Sequence, residues 1–399
     1  MTRILLADKL HSSCISALQQ INSLEVVNKP DLSADTLVEA LEGIDILVVR
    51  STKVTTKALE AAKSLSLIIR AGAGTNTIDV KGASKRGIYV TNCPGKNAAA
   101  VAELALGLML AIDRRIPDNV IEMRQGKWNK KKFSKANGLK GRTLGIIGLG
   151  QIGQDVITRS QSFGMNVIGW SRSLTPEKAE ELNIKFASTP LEVAANADIV
   201  SVHLALADGT KNLINREFLA AMKKGAIFIN TSRGEVVDEE ALAEELASGR
   251  LFAGLDVFAQ EPAGGEAEIN FPISTSANLY GTHHIGASTD QAESETGDEV
   301  VRIVKCFLNG EEIPNCVNLR RGSSASNGIV VRHEDRVGVL AAVFGVLKEH
   351  GCNVQEMQNQ IFEGAVAACA KIMLDAPAPQ EAINLIKECD GVLYVATVG

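Results

Sequence analysis

The sequence predicts an α/β protein: two doubly wound parallel sheets followed by a small βαββαβ unit. Three observations carry that expectation. Short β-branched runs alternate with amphipathic helical stretches up to Thr91; the alternation restarts at Lys140 and continues to about Thr275; and a polar Ser- and Gly-rich stretch precedes a last series of strands and helices. Composition agrees, since 35 glycines beside only 4% aromatics suit close helix-on-sheet packing better than an all-β sandwich.

In the first unit, strands are expected at Arg3–Ala7, Glu25–Asn28, Ile46–Val49, Leu67–Arg70 and Tyr89–Thr91, with helices at His11–Gln20, Ser33–Leu41 and Lys57–Ala62. A helix at Ala98–Ile112, with Asn97 as its N-cap, leads to the second unit. Its strands are expected at Thr143–Ile147, Asn166–Gly169, Ile199–His203, Ala226–Asn230 and Ala253–Val257. The helix Gln291–Leu308 has no partner of its own and is expected to return to the first unit. After the linker at Arg320–Gly328, the chain reads strand Ile329–Val331, helix Gly338–His350, strand Cys352–Ile361, strand Ala365–Leu374, helix Pro379–Cys389 and strand Leu393–Val398. That is the ferredoxin-like order, with a sheet edge free to pair with another copy.

Charge excludes some functions. The net charge of −6, from 41 Lys+Arg against 47 Asp+Glu, supplies no basic surplus to meet phosphates, so neither a nucleic acid nor a membrane surface is expected as partner. Ala98–Ile112 is interrupted by Glu103 and too short to span a bilayer. The start of the chain lacks the apolar stretch of a signal peptide. Seven scattered cysteines without a CxxC pair read as reduced thiols and no metal site, in the cytoplasm.

The strongest motif is Gly148-Leu149-Gly150-Gln151-Ile152-Gly153, directly after a strand and opening a helix. Gly148 permits the tight turn, Gly150 lets the backbone approach a pyrophosphate, and Gly153 lets helix and strand pack closely, which is the dinucleotide cradle of a Rossmann unit. The next strand should end in an acid for the ribose 2′-hydroxyl, but Ser171 and Arg172 stand there. NAD is expected, with NADP open because Arg172 can pair with a 2′-phosphate.

Three stretches past later strands carry the chemistry: Thr231-Ser232-Arg233-Gly234, Asp256-Val257-Phe258 with Glu261-Pro262, and His284-Ile285-Gly286. Hydride transfer from an alcohol needs a group that removes the hydroxyl proton, and histidine titrates near neutrality. A carboxylate on its far nitrogen fixes the tautomer. An arginine grips the substrate carboxylate in a fork.

With these motifs the chain resembles the D-isomer-specific 2-hydroxyacid dehydrogenases over nearly its whole length, most of all those that act on 3-phosphoglycerate and end in an ACT domain. The resemblance implies Arg233 as the substrate-orienting residue, Glu261 as the pairing carboxylate and His284 as the acid/base. Family members usually have Pro where this chain has His283, so His283 stays open as an alternative base. The resemblance also implies cofactor contacts from Gln151, Ile152, Thr231, Asp256, Ile285, Gly286 and Ala287, with Ser232 and Arg233 beside them. It implies residues 1–97 and 284–320 as a discontinuous substrate-binding domain, 98–283 as the dinucleotide domain, 321–328 as linker and 329–399 as ACT domain.

A phosphorylated acid needs more cations than one carboxylate does. Arg50, Lys53 and Arg70 are candidates, with the loop Gly72-Ala73-Gly74, all past strand ends that offer free backbone N–H groups; the resemblance adds Asn97. ACT domains pair edge to edge and bind small amino acids, so a homodimer or homotetramer and a serine effector are expected, with His333, Asp335 and Asn353 as candidate contacts. Two other readings remain. One is a glyoxylate or hydroxypyruvate reductase, which Arg172 and NADPH would suit. The other is a cofactor-sensing protein on the same scaffold, like the C-terminal binding corepressors.

Overall fold

A computed structural model describes residues 1–262, 266–269, 271–319 and 327–398. The chain divides into two compact units, Met1–Asn318 and Leu319–Gly399.

The first unit begins β1 (Thr2–Leu6), α1 (Ser12–Gln19), β2 (Leu24–Asn28), α2 (Thr36–Ala40), β3 (Ile46–Val49), α3 (Thr56–Ala61), β4 (Leu67–Arg70), α4 (Val80–Lys85), β5 (Tyr89–Asn92). Its strands form a parallel sheet in the order β2-β1-β3-β4-β5. Alternate residues feed two cores: Leu5, Leu47, Val49 and Ile68 pack under Leu37, Leu59 and Ala83 of the helices on one side. Ile4, Leu6, Ile46 and Ile69 face Cys14 and Leu18 on the other. Burial on both faces is why these strands read as unbroken apolar runs.

The chain leaves through α5 (Ala98–Arg114), α6 (Ile116–Arg124) and α7 (Lys130–Phe133). The last two are absent from the sequence expectations. Neither buries a residue, so no apolar period marks them. Asn97 stands at the N-cap of α5, but its side chain makes no capping bond, which corrects the expectation.

The second sheet is assembled from β6 (Thr143–Ile147), α8 (Gln151–Ser162), β7 (Asn166–Trp170), α9 (Pro176–Glu181), β8 (Lys185–Phe186), α10 (Pro190–Asn196), β9 (Ile199–Val202), α11 (Arg216–Ala221), β10 (Ile227–Asn230), α12 (Glu239–Ala247), β11 (Phe252–Leu255) and β12 (Leu279–Gly281). The order is β12-β11-β10-β9-β6-β7-β8. Strands β8 and β12 went unpredicted: they are two and three residues long, at the two edges, with no fully buried residue.

Helix α13 (Asp290–Leu308) packs on α1, where Val300, Ile303 and Val304 join the core of the first sheet. The approach is close, since a Cβ on Gly297 would lie 2.7 Å from Cys14 Cβ. Buried Glu299 pairs with Arg302 at 2.5 Å and Lys96 at 3.7 Å, and accepts from Asn315 Nδ2 at 2.6 Å. The chain therefore crosses between the sheets twice, before α5 and before α13, and the second crossing is tied back to the first.

The C-terminal unit runs β13 (Asn327–Glu334), α14 (Val339–Glu349), β14 (Val354–Ile361), β15 (Ala367–Leu374), α15 (Gln380–Glu388) and β16 (Val392–Val398). Its antiparallel sheet has the order β14-β15-β13-β16, over a core of Ile329, Val331, Val343, Leu347, Ile372 and Ile386. Of the expected linker 321–328, residues 321–326 lie outside the described residues. Asn327 and Gly328 are strand, paired with Leu374 and Met373.

Because α13 returns to the first sheet through buried aliphatics, Ile303→Ala should lower the unfolding free energy by about 2–5 kcal/mol. Urea denaturation checks this; a loss under about 0.5 kcal/mol, as at surface sites, would mean that α13 is not docked there.

Candidate active site

The glycine cradle forms as its spacing requires. Gly148 has φ +98°, and a Cβ on it would lie 2.4 Å from the His203 carbonyl oxygen; a Cβ on Gly153 would lie 2.2 Å from the Gly148 carbonyl oxygen. A Cβ on Gly150, at the N-cap of α8, would meet open space. That opening faces the unpaired amides of a helix start, where an anion fits. Gln151 is exposed, with Oε1 2.0 Å from where a Cβ of Gly95 would be, so it reaches the crossing from β5 to α5. Ile152 packs against the core beneath the cradle. Ser171 is half-buried and Arg172 exposed past β7.

Past β10, Asn230 organises the next loop. Its Nδ2 donates to the Arg233 carbonyl at 2.8 Å, and its Oδ1 accepts from Ser232 N–H at 3.0 Å and Ser232 Oγ at 2.7 Å. Thr231 Oγ1 is buried without a protein partner. Gly234 packs so tightly that a Cβ would come within 2.1 Å of the Phe258 carbonyl carbon, bringing the loop of Arg233 against the loop of Glu261.

Asp256, 1% exposed at the end of β11, holds the loop of His284. Its carboxylate accepts from Thr282 Oγ1 at 2.6 Å, Ile285 N–H at 2.8 Å and Gly286 N–H at 2.8 Å; its carbonyl accepts from His284 N–H at 2.8 Å. His284 has φ +53°, a left-handed backbone that a non-glycine residue adopts only when held. Its ring then meets Glu261, with Nδ1 to Oε2 2.7 Å. Phe258 N–H fixes the other Glu261 oxygen at 3.0 Å.

The Glu261 bond holds the His284 imidazolium, raising its pKa against the opposing effect of burial. Burial pushes the Glu261 carboxyl up, yet hydrogen bonds from His284 and Phe258 bring it below the usual carboxylate range. With Nδ1 committed to Glu261, Nε2 is the nitrogen left to exchange a proton with a ligand. His283 is exposed beside it, and the bond to Glu261 belongs to His284.

The first sheet brings cations to the same cleft. Arg233 Nη2 would lie 2.4 Å from a Cβ on Gly74, so the guanidinium passes close over that backbone. Arg70 is mostly buried, its Nε has no partner, and a Cβ on Gly72 would strike its Nη1. Burial, then the charges of Arg233 and Arg50, lower the Arg70 pKa to about 10. Arg50 Nη1 donates to Glu293 of α13 at 2.9 Å. Lys53 is exposed. The expected free amides are partly taken: Gly72 N–H donates to the Arg70 carbonyl at 2.8 Å, and the amides of Arg50, Ser51 and Thr52 all donate to Asp8.

Sequence reasoning missed Asp8, Asn230, Thr282 and His203. Asp8 lies two residues past the buried strand β1, which was the available signal. His203 is buried beside Gly148, with Nε2 2.9 Å from Ser201 Oγ and Nδ1 unpartnered; burial lowers its pKa to about 4, so it is neutral near pH 7. Among the described residues, no group of three or more His, Cys, Asp and Glu could hold a metal ion, and no helix is long and apolar enough to cross a membrane.

In the C-terminal unit, His333 is 2% exposed, with Nδ1 2.8 Å from the Glu334 carbonyl oxygen and Nε2 3.2 Å from Asn359 Oδ1. Both nitrogens are engaged inside the fold, which corrects the expectation that it contacts an effector. Asp335 follows the last residue of β13, whereas Asn353 precedes β14 at the level where β13 begins. They lie at opposite ends of one sheet.

A family model described as D-isomer specific 2-hydroxyacid dehydrogenase, NAD binding domain, matches residues 106–286. The chain is 41% identical over 321 residues to a protein named D-3-phosphoglycerate dehydrogenase from Methanocaldococcus jannaschii, covering 80% of this chain and 60% of that one. It is 42% identical over 302 residues to a hydroxypyruvate reductase from Thermotoga maritima, covering 75% of this chain and 96% of that one. The solved structure of the TT0316 protein from Thermus thermophilus superposes with TM-score 0.71 at 34% identity, over 79% of this chain and all of that one. The chain thus spans only about 60% of the length of the phosphoglycerate dehydrogenase it matches.

If Glu261 supports the His284 charge, Glu261→Gln should move the His284 titration to lower pH. Ring ¹⁵N shifts of the six histidines read this directly, and an unmoved midpoint would leave Glu261 only a steric role.

Proposed function

The chain belongs to the D-isomer specific 2-hydroxyacid dehydrogenase family, and on that premise we propose that it oxidises 3-phosphoglycerate to 3-phosphohydroxypyruvate in serine biosynthesis. One observation carries the substrate: the Arg233 and Arg70 guanidinium groups lie over the backbone of one loop, at Gly74 and Gly72, and the charges of Arg233 and Arg50 both reach Arg70. One carboxylate needs one guanidinium; the remaining two suit a phosphate.

Arg233 is the substrate-orienting residue, forked on the carboxylate. His284 Nε2 takes the C2 hydroxyl proton as hydride leaves the same carbon, and Glu261 on Nδ1 stabilises the imidazolium so formed. Bound NAD supplies the hydride acceptor. Its pyrophosphate fits Gly148, Gly150, Gln151, Ile152 and Gly153, whose opening at Gly150 leaves the necessary space. Thr231, Ser232, Arg233, Asp256 and His284–Ala287 would hold the nicotinamide end, toward which the unpartnered Thr231 hydroxyl would have a bond to give. Ser171 and Arg172 would hold the adenosine ribose. Gly72, Ala73, Gly74 and Asn97 line the substrate side. The domain roles follow: 1–97 with 284–320 for substrate, 98–283 for cofactor, and 329–399 as an ACT regulatory domain.

A second reading, a hydroxypyruvate or glyoxylate reductase, is favoured by the length match to the Thermotoga relative and by Arg172. Steady-state rates decide between them. Saturation by 3-phosphoglycerate between about 1 µM and 1 mM with NAD is expected, and saturation by glyoxylate or hydroxypyruvate alone would overturn it. His284→Asn should cut kcat by about 10²–10⁴-fold. In the oxidative direction His284 must start neutral. Glu261→Gln, by lowering its pKa, should therefore shift the acid limb of the rate profile to lower pH.

We assign the enzyme to the cytoplasm as a homodimer or homotetramer. Ile116, Ile121, Met123 and Trp128 are exposed within one segment, and β14 is an exposed sheet edge. Sedimentation of Ile121→Asp/Met123→Asp should give a lower mass than the wild type; equal masses would clear that segment of a role. Serine is the proposed effector, reaching Asp335 and Asn353 together only across two copies.

A further inference from the structure

Past β3, three successive amides converge on one atom. Asp8 Oδ2 accepts from the N–H of Arg50 at 2.6 Å, Ser51 at 3.1 Å and Thr52 at 3.0 Å. Successive N–H groups turned to one point make an anion-binding concavity. This one lies where the strand order reverses between β1 and β3, the position at which such sheets take their ligands. The chain has filled it with a carboxylate of its own. Thr52 is pinned as well, its Oγ1 donating to the Leu32 carbonyl at 3.0 Å.

We propose that Asp8 is a positioning residue for substrate recognition: it occupies the backbone anion cradle after β3 and fixes the main chain from which Arg50 reaches the cleft. The inference rests on the reading of Arg50 as a substrate cation. With the amides taken, a substrate anion cannot settle on the backbone and is left to the guanidinium groups. Glu293, 2.9 Å from Arg50 Nη1, steadies the far end of the same side chain. Asp8 thus acts on Arg50 through its main chain and Glu293 through its tip.

Asp8 lies on the first sheet, whereas Arg233, Glu261 and His284 follow strands of the second. Its loss should therefore weaken binding and spare the chemical step. The experiment measures kcat and KM of Asp8→Ala and Asp8→Asn with the acid that the wild type saturates with, 3-phosphoglycerate being expected. It also follows deuterium exchange across residues 50–53. For Asp8→Ala, KM should rise about tenfold, the scale of one charge-assisted hydrogen bond, with kcat within threefold and faster exchange in that segment. Asp8→Asn keeps an acceptor oxygen in the same place and should fall between; it also serves if the alanine variant fails to fold. A KM within twofold of wild type, a fall in kcat at constant KM, or wild-type exchange would each overturn the proposal. A wild type that saturates only with an unphosphorylated acid removes the phosphoglycerate reading instead, and Asp8 is then judged by the same three readouts on that acid.

Discussion

The buried carboxylate of Asp256 is the constraint on which the active site depends. A carboxylate 1% exposed is tolerable only when its oxygens are satisfied, and here two amides and one hydroxyl from a single loop do so. Those bonds wrap residues 282–286 around one anchor. The wrapping holds His284 in a left-handed backbone, a conformation that costs about 1–3 kcal/mol elsewhere. From that backbone the ring meets Glu261 with Nδ1, a bond that does not use Nε2. The His284 ring is thus aimed by a residue 28 positions earlier in the chain, at the end of a different strand.

The two sheets contribute opposite chemistry. The second carries the cradle, the anchor and the imidazole–carboxylate pair; the first carries Arg50 and Arg70. Burial lowers the Arg70 pKa most, and the nearby charges of Arg233 and Arg50 lower it further. Asp8 holds the Arg50 main chain and Glu293 its guanidinium. The two contributions meet because the chain crosses between sheets twice, and Glu299 binds Lys96 at one crossing to the helix that follows the other.

Much of this was legible. Gly148, Gly150 and Gly153 announce themselves because a tight turn, an open approach and a close helix each forbid a side chain within six residues. Arg233 and Glu261 stand past strands that the apolar runs already marked, whereas His284 follows the unexpected strand β12. The errors have physical causes. Helices α6 and α7 bury nothing and leave no periodicity. Strands β8 and β12 are edge fragments with no room for an alternating pattern. His333 looked available on a loop, but it lies inside the C-terminal fold with both nitrogens engaged. The amides of Arg50, Ser51 and Thr52 looked free, because nothing near them in sequence is an acceptor.

The sequence by itself determined the order of the longer strands and helices and the glycine cradle. Each of these depends on conformational preference or periodicity acting over a few residues. Tertiary structure alone decided which groups are committed and which remain for a ligand. Asp8 takes amides 42 to 44 residues away, Glu261 meets His284 across 23, and Glu293 meets Arg50 across 243. At such separations the partner is chosen by how the sheets pack and where the chain crosses, and hydrogen bonds and charges act only over the few ångströms that this packing sets.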